Sequence, residues 1–84
     1  MNKNKKCIWA FLSMKNGTYD NDYYFYEDGT ILHHYDRTIT KMDIEVYVTP
    51  SDIVDSDKEK IILKCKEECS KEIVDKIKAI LQYE

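Results

Sequence analysis

The chain has 84 residues, 43% apolar and 35% charged, which is the profile of one small globular domain (residues 1-84) and lies far from the charge-rich, aromatic-poor profile of disorder. Its 13 basic and 16 acidic residues leave a net charge of −3, and Arg37 is the only guanidinium. That balance argues against direct nucleic-acid binding, and no stretch is apolar and long enough to span a membrane.

Cys7 to Met14 is an apolar run after a basic start, at the short limit for a signal peptide, and no small-residue cleavage site follows it. It reads instead as a first strand, carrying Ile8, Trp9 and Phe11 and ending before the turn pair Asn16-Gly17. Tyr23 to Glu27 is the second strand. Asp28-Gly29 supplies a two-residue type I′ turn, and Thr30 to Tyr35 returns as the third strand. Ile44, Val46 and Val48 alternate with polar neighbours, as a half-buried fourth strand would; Thr40 followed by Asp43 is also a capping-box variant that would start a short helix.

Pro50 ends this element in a turn. Ser56 with Glu59 forms a capping box for a helix from about residue 57 to 69, with Ile61, Ile62 and Cys65 on one face. Ser70 caps a second helix from Lys71 to about Gln82, whose Ile73, Val74, Ile77, Ile80 and Leu81 form an apolar stripe. The expected fold is therefore α+β: an antiparallel sheet of three or four strands (residues 7-48), then two C-terminal helices packed on one face.

A two-residue loop at Asp28-Gly29 sets Tyr26 opposite Ile31 and Tyr24 opposite His33. One face then carries Tyr23, Phe25, Leu32 and His34, with Ile8, Ala10 and Leu12 if the first hairpin has no slip. The other carries Tyr24, Tyr26, Ile31, His33 and Tyr35, joined on the same condition by Cys7, Trp9 and Phe11; a bulge in Tyr19-Asp20-Asn21-Asp22 would swap the first strand's contribution. The aliphatic face suits the helical stripe. The aromatic face is left as a candidate surface made of Trp9, Tyr24, Tyr26, His33 and Tyr35, with Arg37 nearby, because Tyr, Trp and Arg are the usual anchors of interfaces.

Other chemistry is poorly supported. Adjacent His33 and His34 point to opposite faces of a strand and cannot chelate one ion together. Cys65 and Cys69 share a helix face without further ligands, so they read as free thiols; an odd number of cysteines also fits a reduced, cytoplasmic setting. There is no Gly-rich phosphate loop, nucleophile motif or metalloprotease helix, so neither an enzyme, a cofactor nor a metal is expected.

The bias towards Lys, Ile, Asn, Asp and Tyr fits codon drift in a low-GC genome. The resulting expectation is a small non-catalytic protein-binding module, an inhibitor or adaptor such as phage and mobile elements of low-GC bacteria carry. The alternative is a small-ligand, nucleotide-like binder that stacks a base on Tyr24, Tyr26 or Trp9 and holds an anion with Arg37 and a histidine. A core this small has little stability to spare, and a homodimer is one remedy.

Overall fold

The computed structural model describes residues 6–15, 19–36 and 40–83. The elements are β1 (Cys7–Phe11), β2 (Met14–Lys15), β3 (Tyr19–Tyr26), β4 (Ile31–Tyr35), β5 (Ile44–Val48), a 3-10 turn (Pro50–Asp52), α1 (Asp55–Glu68) and α2 (Lys71–Leu81). The antiparallel sheet has the order β1-β3-β4-β5, and β2 continues beside β3 beyond a break at Leu12 and Ser13. This is the expected α+β layout, a four-stranded sheet followed by two helices. Residues 44–48 take the strand alternative. Asp43, a key residue of the rival helix start, instead adopts φ 56, a left-handed turn into β5.

The β3–β4 register differs from expectation by one residue. Phe25 pairs with Ile31, Tyr24 with Leu32 and Tyr23 with His33. The loop is Glu27-Asp28-Gly29 rather than a two-residue turn: Tyr26 N donates to Thr30 O at 3.0 Å, and only Gly29 has positive φ, at 88°. That is the three-residue hairpin in which glycine takes the left-handed position. Asp28 favours it locally, since its Oδ1 accepts from Thr30 N at 3.0 Å and from Thr30 Oγ1 at 2.6 Å.

The other side of β3 is shifted in the same way. The turn pair Asn16-Gly17 lies outside the described residues, but Lys15 pairs with Tyr19, Phe11 with Tyr23 and Trp9 with Phe25 at one common offset. A two-residue turn would have set Lys15 opposite position 18. Both neighbours of β3 are thus displaced by one, so β1 and β4 keep their expected mutual phase and β3 alone presents its opposite face. Trp9, Phe11, Ile31, His33 and Tyr35 share a face as expected, but they share it with Tyr23 and Phe25 rather than with Tyr24 and Tyr26.

This mixed aromatic and aliphatic face is the one the helices cover, which corrects the expected pairing of the helices with the Leu32 face. Tyr23, Phe25 and Ile31 join Ile53, Ile61, Ile62, Cys65, Val74, Ile77 and Leu81 in the core, with Trp9, Phe11 and Val48 packed against it. Trp9 stacks on Phe25 with ring centroids 6.0 Å apart, and its Nε1 donates to Glu68 Oε1 at 3.0 Å, tying β1 to the end of α1.

The helices hold their expected buried faces, but α1 starts earlier than its predicted capping box. Val54 occupies the N-cap without a side-chain bond, and Asp55 and Asp57 place negative charge in the first turn, where the helix dipole favours it. The capping box of this region belongs to Thr49 and Asp52 at the 3-10 turn. Ser70 caps α2 as expected, accepting from Ile73 N at 3.5 Å.

Candidate binding surface

The slip of β3 divides the predicted site between the two faces of the sheet. Trp9, His33 and Tyr35 lie on the helix side, Tyr24 and Tyr26 on the open side, and Arg37 lies outside the described residues. On the helix side, His33 is sandwiched between Tyr23, at 4.4 Å and 8°, and Tyr35, at 4.6 Å and 24°. Its Nε2 meets Asn21 Oδ1 at 2.7 Å, which places a proton on that nitrogen. Burial lowers the His33 pKa, outweighing the pull of Asp22 and Asp57, so the ring favours its neutral form. This ladder is filled by its own rings, and no base-sized gap separates them.

On the open side the sheet shows Tyr24, Tyr26, Leu32 and Tyr47 around its middle, and Asp22, His34 and Glu45 towards one end. Leu32 stands between Tyr24 on β3 and Tyr47 on β5, and Tyr47 is 58% exposed. Burial raises the Tyr24 pKa first, and the charges of Asp22, Cys7, Glu45 and Asp20 add to it, so this phenol sits in a negative field. The described residues of β3, β4 and β5 contain acidic side chains and no lysine or arginine.

The acidic end is organised around His34, a residue outside the predicted surface. Its Nδ1 lies 3.5 Å from Asp22 Oδ2, and its Nε2 lies 3.1 Å from Asp43 Oδ1. The Nδ1 contact is an ion pair at the limit of hydrogen-bond length, and that buried nitrogen has no well-aligned partner. Burial disfavours the imidazolium, but the hydrogen bond to Asp43 and the nearby charge of Asp22 outweigh it and the pKa rises. Asp36 lies beside them and is nearly buried; its Oδ1 accepts from Asp43 N at 2.9 Å and its Oδ2 from Asp20 N at 3.0 Å. These two backbone donors hold its carboxyl below the usual carboxylate range.

Comparison with protein families, with curated proteins and with solved structures gives no match to this chain. The side chains themselves therefore carry the functional reading. Asp20, Asp22 and His34 bring their ligand atoms within 4.8 Å of one another, a set that fits a divalent cation by chemistry. Asp22 is already engaged, however: Oδ1 accepts from Ser13 N at 3.0 Å, and Oδ2 faces His34. The group is self-consistent as a structural network that joins β2, β3, β4 and the approach to β5.

Cys65 and Cys69 lie on the helix side and take no part in the surface, whereas Cys7 pairs with Tyr26 at its rim. Cys7 is exposed, Cys69 half-buried, and Cys65 fully buried, its thiol pushed up to about 12 by burial and by the neighbouring Cys69. Two open clefts of about 560 Å³ and about 310 Å³ lie against the helices, the first lined by Asp55, Lys58 and Tyr83, the second by Lys66, Cys69 and Lys78. Neither is lined by a predicted binding residue. No helix among the described residues is long and apolar enough to cross a membrane.

The signal for the acidic end was present in the sequence. Asp20 and Asp22 alternate, as do His34 and Asp36, and either pair would share a strand face. A second strand that begins at Tyr23 leaves the first pair out, because β3 extends back to Tyr19.

Proposed function

We propose that this chain is a non-catalytic protein-binding module, acting as an inhibitor or adaptor, and that its contact surface is the open face of the sheet. One observation carries the reading: two helices cover one side of the sheet, and the other side displays Tyr24, Tyr26, Leu32 and Tyr47 beside Asp20 and Glu45. Aromatic side chains with polar tips are effective anchors at interfaces, since they bury a large area at small entropic cost. The acidic end adds direction. It favours a partner with an apolar centre flanked by lysine or arginine, and it makes the association rate fall with salt. The small-ligand alternative finds less support, because Trp9, His33 and Tyr35 face the helices and stack on protein rings.

The test is affinity capture with the parent chain and with a Tyr24→Ser, Leu32→Ser double variant of matched far-UV circular dichroism. A partner held by the parent and lost by the variant supports the surface. Removing an anchor of this kind costs ~2 kcal/mol of binding, over tenfold in affinity. Equal capture by both folded proteins overturns the assignment.

A further inference from the structure

The sheet ends in two edges of different character. The β1–β2 edge is broken: its register shifts between Cys7 and Trp9, and pairing lapses at Leu12 and Ser13. Such irregularities discourage the addition of another strand. The β5 edge has none of these protections. Its sequence, Ile44-Glu45-Val46-Tyr47-Val48, contains no Pro, Gly or Lys and pairs with β4 in unbroken register, while Val46 is 40% and Tyr47 58% exposed. No strand among the described residues lies beyond it.

We propose that β5 pairs antiparallel with β5 of a second copy of this chain, about a two-fold axis that is perpendicular to the sheet and passes midway between the two Val46 residues. An axis in that direction keeps the helix pairs of both copies on one side and joins their open faces on the other. Residues facing each other across the axis then share a face. Ile44 meets the partner's Val48, Val46 meets the partner's Val46, and Glu45 meets the partner's Tyr47.

Charge selects this register from its neighbours. Centred on Glu45, the pairing sets two carboxylates directly opposite, which is destabilising. Centred on Tyr47, it pushes Ile44 against the partner's Pro50, which has no amide proton to donate. Centred on Val46, every residue of the strand has a strand partner, branched apolar side chains meet on the helix side, and each Glu45 carboxylate can accept from a phenol of the partner. No charged residue of β5 faces its own copy. A strand of five residues buries less than the ~800 Å² per partner of a standard stable complex. The dimer therefore dissociates on dilution.

The test is sedimentation velocity of the full chain over a dilution series, with variants. The parent should fall from twice the chain mass to the single-chain mass as it is diluted. Val46→Lys should stay monomeric throughout with unchanged circular dichroism, because it sets two ammonium groups together on the axis. Tyr47→Lys should retain the dimer, since its cation faces the partner's Glu45. Cross-linking checks the register without depending on the folding of Val46→Lys: in a Cys7→Ser background, Val46→Cys should oxidise to a covalent dimer, and Tyr47→Cys should not. A parent that is monomeric at every concentration overturns the proposal. So does a folded Val46→Lys variant that dimerises like the parent, or equal cross-linking at positions 46 and 47. The open-face reading fails separately, because Tyr24→Ser leaves the dimer mass unchanged.

Discussion

Ile31 and Leu32 are adjacent in β4 and identical in size, yet truncating them should have very different consequences. Ile31 is 1% exposed and belongs to the core, whereas Leu32 is half-buried on the open face between Tyr24 and Tyr47. Ile31→Ala removes carbons from a closed space between sheet and helices, so the lost transfer free energy is joined by a cavity cost, together about 3 kcal/mol. Leu32→Ala leaves a depression that water enters, and its cost is about 1 kcal/mol. An 84-residue domain has about 4–12 kcal/mol of stability in all, so the first change is severe and the second mild. In urea, with a slope of about 1 kcal/mol per molar, the unfolding midpoint should fall by about 3 M for Ile31→Ala and by about 1 M for Leu32→Ala. Both follow from circular dichroism, with the slope unchanged as the control. Equal losses would refute the three-residue loop and its register, and a larger loss at Leu32 would restore the two-residue hairpin, which places Leu32 under the helices.

His34 gives the fold a pH dependence of defined sign. Its pKa is raised by Asp43 and Asp22, so its stabilisation is complete below the unfolded value near 6.5 and is lost as pH rises through the higher folded value. Urea midpoints for the parent should therefore decline over that window more than those of His34→Gln, and parallel profiles would count against the network. Gly29 supplies the left-handed position of the hairpin; a Cβ there meets nothing within 4 Å, so Gly29→Ala should cost only the strain of φ +88, about 1 kcal/mol in thermal or urea unfolding. A loss of several kcal/mol would mean that this loop is packed rather than open.

Local rules made most elements legible. The apolar stripes of Ile61, Ile62 and Cys65 and of Val74, Ile77 and Leu81 marked both helices and their buried faces, because a period near four residues has few other uses. Ser70 announced the start of α2, and the alternation of Ile44, Val46 and Val48 announced β5. Register was different. Asp28-Gly29 fits a two-residue turn as well as a three-residue loop begun by Glu27, and each choice exposes the opposite face of β3. What separates them is how well Tyr23, Phe25 and Ile31 fill the space beneath the helices, a sum over residues far apart in the chain. The candidate surface depends on the same decision: composition supplied its tyrosines and carboxylates, but the tertiary register sent Trp9 and His33 to the core side, left Tyr24 and Leu32 in the open, and brought Asp20, Asp22, Asp36 and Asp43 around His34. A strand's period of two fixes which residues travel together, and only packing against the helices fixes which way they face.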